Sequence, residues 1–166
     1  MDRNNEAGLI GSIMRDASRY EFVRELLTPA DFGWHAYGWC WEAFSRLHAQ
    51  GLAIDTITTG DELERMGKLS DFCMDDGKML TGRAALGKLR AEGNPDSVES
   101  YAANVLDHSA KRQLLEDFRT GAAWAMNGRR ATDIVSDMME KLNRVRTFDG
   151  KSARHTQKLG DAVSAA

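Results

Sequence analysis

The string Gly82-Arg83-Ala84-Ala85-Leu86-Gly87-Lys88-Leu89 has the GxxxxGK spacing of a phosphate-binding loop. In such a loop backbone amides cradle phosphates, the lysine reaches the terminal ones, and a following Ser or Thr holds magnesium. Here Leu89 stands at the magnesium position, and polar Asp75-Asp76-Gly77-Lys78 precedes Gly82 in place of a buried strand. The string therefore reads as a helix capped by Thr81 and closed by Gly93. The four histidines, His35, His48, His108 and His155, form no HxxxH pair of the kind that binds a metal on one helix face. Asp71, Asp75 and Asp76 with Gly77 lack the DxDxDG spacing of a calcium loop. Ser12, Ser45 and Ser97 lie in no GxSxG elbow. The expectation is a chain with no catalytic, cofactor-binding or metal site of its own.

Aromatic residues are the next candidates. Trp34, Tyr37, Trp39 and Trp41 are dense enough to stack bases of a single strand. Helical spacing puts Tyr37, Trp41 and Phe44 on one core stripe. Trp34 and Trp39 fall off it and are interface candidates. Trp124, Met138 and Met139, near the end of the chain, raise the same question, because Trp and Met are favoured at interfaces. Self-association and packing on the rest of the chain both remain open there. Arg129-Arg130 read as a solvated turn, or as a contact for an acidic partner or a phosphate backbone.

Composition narrows the setting. The 166 residues carry 22 Lys plus Arg against 25 Asp plus Glu, a net charge of -3. A protein that coats nucleic acid shows a basic excess instead. The two cysteines, Cys40 and Cys73, form no CxxC and no disulfide framework. A reducing, cytoplasmic setting is expected. No apolar run is long enough for a signal peptide or a membrane span. Only two prolines occur, and Val, Ile and Thr runs are few, which points to an all-α fold.

The elements follow from periodicity and end signals. Leu9, Ile10, Ile13 and Met14 predict a helix over about 5–16, with Gly8 and Gly11 admitting a close neighbour. A short helix over 19–27 is followed by Thr28-Pro29, a cap with proline at the first position. A third helix covers about 34–50 and stops at Gly51. Asp55 alone, or Thr59 with Glu62 as a capping box, starts the next, which ends near Met66-Gly67. The stretch 69–80 is loop-like, and Thr81 opens a helix over 82–92. After the Asn94-Pro95-Asp96 break, Asp96 and Glu99 form a capping box for the longest pattern, Val98 to Met126. Its length of 29 residues is about 43 Å of helix. Asn127-Gly128 ends it, and Thr132 caps a last helix bearing Val135, Met138, Met139, Leu142 and Val145. The short loop predicts an antiparallel hairpin. The expected organisation is a helical lobe over 1–93, a long helical hairpin over 94–147, and a linker with the start of a docking helix over 148–166. Leu159, Ala162 and Val163 are the apolar residues of that last segment.

In this frame the order of motifs resembles the N-terminal domain of DnaB-type replicative DNA helicases. Glu6-Ala7-Gly8-Leu9-Ile10-Gly11-Ser12-Ile13 resembles the family's E-x-x-(V/L)-L-G-x-(I/M) opening, and Leu27-Thr28-Pro29-Ala30-Asp31-Phe32 its L-x-P-x-D-F. Trp41 to Leu47, Gly51 and Ile54-Asp55-Thr56-Ile57-Thr58 are similar to the stretch that ends in G-x-x-I-D-x-x-T. Leu63 to Leu69 resembles L-x-x-x-G-x-L, and Tyr101-Ala102-Ala103-Asn104-Val105 with Ala110-Lys111-Arg112 the later Y-A-x-x-V and R-x-L. The chain departs where the family has Gly-Gly, an apolar residue and Tyr-Leu. Thr81 to Leu86 stands there, after an insertion centred on 71–79. Ala36 follows His35 where the family often has Arg.

The resemblance implies a non-catalytic collar domain of a hexameric helicase. Its partners would be further copies of itself, pairing as dimers that close into a hexamer, together with primase and a helicase loader. ATP and magnesium would belong to a motor domain of the parent chain, which would also make most of the DNA contacts. The hairpin would assemble through Trp124, Met138, Met139 and Leu142, chosen by spacing. Leu159, Ala162 and Val163 would dock the linker on a neighbour. The alternative is a free-standing helical adaptor of a phage or mobile element that binds a host helicase or primase.

Overall fold

The computed structural model describes residues 3–74 and 80–146. Its helices are α1 (Arg3–Arg15), α2 (Tyr20–Val23), α3 (His35–Ala49), α4 (Thr56–Arg65), α5 (Gly82–Glu92), α6 (Val98–Met126) and α7 (Ala131–Asn143). Short 3-10 turns cover Ala17–Arg19, Pro29–Asp31 and Pro95–Ser97. The described residues contain no strand, only an isolated bridge between Cys73 and Thr81. The fold is all-α. Among the described residues no helix is long and apolar enough to cross a membrane.

The chain divides into two compact units, Met1–Val105 and Leu106–Ala166. The division falls inside α6 and not at the Asn94-Pro95 break, because the first turns of α6 carry core residues. Val98, Ala102 and Val105 are buried, and the Tyr101 ring lies against Gly8 of α1, 3.0 Å from where a Cβ would stand.

In the first unit, α1 buries Leu9, Ile10, Ile13 and Met14, and α3 buries Ala36, Tyr37, Cys40, Trp41, Phe44 and Leu47. Each large apolar side chain removed from water contributes about 1.5–3 kcal/mol. The Trp41 indole N–H donates to the Leu27 carbonyl at 3.1 Å, so its one polar atom is satisfied inside the core. Phe32, Tyr20 and Phe44 pack around the same indole.

Local signals set most ends. Thr28 and Asp31 close the Pro29–Asp31 turn reciprocally. Of the two candidate caps for α4, Asp55 is the one used. Its Oδ1 accepts the Ile57 and Thr58 N–H groups at 2.8 and 2.9 Å. Thr59 and Glu62 instead lie buried within the helix. Glu62 meets Arg65 at 2.9 Å and Arg46 at 3.7 Å.

Three expectations need correction. The segment 19–27 holds only four α-helical residues, Tyr20–Val23, because a 3-10 turn capped by Asp16 takes its start. The Asp96–Glu99 capping box does not form. Asn94 caps a 3-10 turn ahead of α6, and Asp96 points to solvent and toward Arg19, 3.6 Å away. Arg130, not Thr132, occupies the N-cap of α7, with no side-chain cap bond.

Candidate functional site

Within the second unit, α6 and α7 are joined by the turn at Gly128, whose φ of +74° suits glycine. Three contacts fix how they face each other. The Lys141 ammonium lies 3.2 Å from Asp117 Oδ1. The Gln113 amide donates to the same oxygen at 3.0 Å. Met138 packs onto Gly121, with its Sδ 2.7 Å from where a Cβ would stand. At the turn, the Arg129 guanidinium lies 4.5 Å over the Trp124 ring and pairs with Asp137 at 2.7 Å. Arg130 pairs with Asp133 at 3.1 Å, and this hydrogen bond holds the Asp133 carboxyl below the usual carboxylate range. Both turn arginines therefore have acidic partners within the hairpin.

These contacts sort the four residues expected at an interface. Trp124 and Met138 are half-buried and engaged inside the hairpin. Met139 and Leu142 lie outside it, 61% and 37% exposed. Val135 is exposed as well, and on α6 so are Leu115, Phe118 and Met126. Successive helical residues turn by roughly 100°. Val135, Met139 and Leu142 thus lie to one side of the line through Met138 and Lys141. Leu115, Phe118 and Ala122 are displaced in the same rotational sense from Asp117 and Gly121. Because the helices are antiparallel, both sets come to the same side of the hairpin. The result is one apolar surface drawn from two helices. Leu115 and Phe118 of α6 were not singled out in the sequence, and Val135 was named only as an apolar residue of the last helix.

The other candidates resolve into structure. The GxxxxGK string is α5, with Ala85, Leu86 and Leu89 in the core and Lys88 near Glu92 at 3.9 Å. Arg83 binds Asp61 at 2.6 Å and Glu64 at 3.2 Å, so the acids of α4 hold it. A cleft of about 370 Å³ beside Gly82 is lined by Glu64, Leu69, Ser70, Thr81 and Arg83, and its charges are already paired. His48 sits 3.3 Å from Glu21 and against the Tyr20 ring. The His35 ring lies between those of Trp34 and Trp39, tilted against the first and edge-on to the second. Trp34 donates to the Cys73 carbonyl at 3.0 Å, and Lys68 lies 4.9 Å over Trp39. Cys40 is fully buried, which pushes its thiol far above the ordinary value. Among the described residues no three His, Cys, Asp or Glu side chains could hold a metal. Leu159, Ala162 and Val163 lie outside the described residues, as do His155 and 75–79 of the insertion.

Glu6 has a role that sequence reasoning missed. It is 2% exposed. Its carboxylate accepts the Gly33 N–H at 2.7 Å and the Trp34 N–H at 3.0 Å. It thereby satisfies amides at the start of α3 from a distant part of the chain. The motif glutamate is a tertiary cap.

A helical lobe running into a hairpin with an outward apolar surface defines a packing module of helix on helix. Residues 1–107 match the family described as DnaB-like helicase N terminal domain, and the chain belongs to that family. Its fold is similar to the crystal structure of the N-terminal domain of DnaB helicase from Mycobacterium tuberculosis. The TM-score is 0.76 at 22% identity, covering 86% of this chain and 97% of that one.

Proposed function

We propose that this chain acts as the non-catalytic collar of a hexameric replicative DNA helicase, mediating ring assembly and the recruitment of primase and loader. The observation that carries the reading is the apolar surface of the hairpin, with Phe118, Val135, Met139 and Leu142 turned to solvent. Such a surface on a folded chain marks an interaction site, and a self-complementary patch pairs two copies about a two-fold axis. Family membership supplies the helicase setting. ATP and magnesium serve the motor domain of the parent chain, which also makes most DNA contacts. Leu159, Ala162 and Val163 dock the linker on a neighbouring subunit, and the assembly works in the cytoplasm.

The test is Met139→Asp together with Leu142→Asp, with mass followed by light scattering. The expected result is a shift toward monomer with far-ultraviolet helicity unchanged. An unchanged oligomer mass refutes the assembly surface. Pull-down of primase by the parent but not the variant then separates recruitment through this surface from recruitment through the lobe.

A further inference from the structure

We propose that Asp117 and Lys141 form a rotational lock that keeps the Val135, Met139 and Leu142 side of α7 turned away from α6, and so keeps the assembly surface open. The inference rests on the assembly reading above and adds a positioning role for two residues outside the surface itself.

Both helices carry apolar residues over a wide arc. On α7, Ile134 shares a face with Met138 and Lys141, while Val135, Met139 and Leu142 lie roughly 100° further round. Turning α7 by that angle brings this second set onto the Asp117 and Gly121 line of α6 and buries it there, a gain that scales with area removed from water. A hairpin so rotated loses the α7 half of its interface.

What opposes the rotation is polar. Asp117 is 2% exposed, and its Oδ1 takes both the Lys141 ammonium and the Gln113 amide. Turning α7 withdraws Lys141 and leaves a buried carboxylate without its cation, a strongly unfavourable change. The intact pair itself, with Lys141 35% exposed, adds little net stability. Specifying one arrangement among several is therefore the role that fits it. Arg129 supplies a second anchor near the turn through Asp137 and the Trp124 face. Gly121 allows the approach, since Met138 occupies the space that any larger residue needs.

The experiment uses the whole 166-residue chain with Cys73→Ser and Met139→Cys. Cys40 is fully buried, so a maleimide reads position 139. Labelling is timed at high dilution, where chains are separate, and mass is measured at high concentration on chains that keep Met139. Asp117→Ala with Lys141→Ala is compared with the charge-swapped pair Asp117→Lys with Lys141→Asp. Labelling follows the fraction of hairpins with position 139 open, so the alanine pair is expected to label about tenfold more slowly. It also assembles less, at unchanged helicity, while the swapped pair labels at the parent's rate. Equal rates for parent and alanine pair overturn the lock, as does a swapped pair as slow as the alanine pair. Should the alanine pair lose helicity, Lys141→Arg replaces it as the second variant. It is expected to label and assemble like the parent, and slowed labelling there overturns the lock. A slow alanine pair beside a parent that stays monomeric at every concentration overturns the assembly reading instead, and with it the purpose given to the lock. Leu142→Cys as a second reporter excludes an effect peculiar to position 139.

Discussion

Gly11 on α1 and Gly93 at the end of α5 meet backbone to backbone. A Cβ on Gly93 would lie 2.3 Å from the Gly11 carbonyl carbon, and a Cβ on Gly11 2.0 Å from the Leu89 carbonyl oxygen. The same crossing is tied by hydrogen bonds. The Asn94 N–H donates to Ser12 Oγ at 2.8 Å, and Arg15 donates to the Gly93 carbonyl at 3.0 Å. Gly11 therefore sets how closely α5 approaches α1.

Gly11→Ala is expected to destabilise the lobe by about 3 kcal/mol, the upper end of what overpacking costs. The obstructing atoms are backbone and have no rotamer to change. Gly87 on the same α5 is the control. Nothing lies within 4 Å of its Cβ position, so Gly87→Ala is expected to stabilise by about 0.5–1 kcal/mol. Urea unfolding followed by tryptophan emission checks both signs. Equal destabilisation by the two substitutions refutes the contact argument.

Glu6→Ala leaves the Gly33 and Trp34 amides without their carboxylate. The expected loss is about 1–3 kcal/mol, the cost of stranding charge-assisted partners in a buried setting. Hydrogen exchange locates it: the amides of Gly33 and Trp34 lose protection before those of mid-α3. Uniform loss across α3 counts against a capping role.

Asp55 makes stability depend on pH. The Thr58 and Ile57 amides hold its carboxyl below the usual carboxylate range. A lowered folded-state value means stability that is present above the unfolded value, about 3.9, and lost as pH falls through the folded one. Asp55→Ala is thus expected to cost about 1 kcal/mol near neutrality. The gap between parent and variant closes below about pH 4. Asp55→Asn, which still caps, keeps most of the stability and shows no such closing. A gap that persists into strong acid removes the cap as its source.

Phe72 is fully buried although it lies in an irregular stretch of the chain. Its carbonyl accepts the Gly82 N–H at 2.8 Å, which fixes the start of α5. Phe72→Ala is expected to cost about 3–5 kcal/mol, the range for a buried aromatic. Thermal unfolding measures it, and a shift of the size seen for exposed Phe22→Ala refutes the assignment.

Where the chain speaks through neighbours a few residues apart, the sequence was readable. Thr81 and Gly93 bracket α5, Asn127-Gly128 ends α6, and the helical spacing of α1 and α3 names their buried faces, as the structure has them. The family resemblance was legible in the same way, from motifs in order. Contacts across the chain were not readable. Asp55 and Thr59 carried equal local claims to cap α4, and only the packing that buries Thr59 decides between them. Phe72 and Met74 sit in a stretch with no period, so nothing marked them as core. Glu6 caps α3 across 27 positions, a distance over which no local pattern speaks. On the hairpin, periodicity said which residues share a stripe. It could not say that Trp124 and Met138 turn inward while Met139 and Leu142 turn out, because a helix face acquires an inside only when another helix lies against it. The sequence determined the longer helices, many of their ends and the family. The tertiary structure alone decided which apolar face is left for a partner.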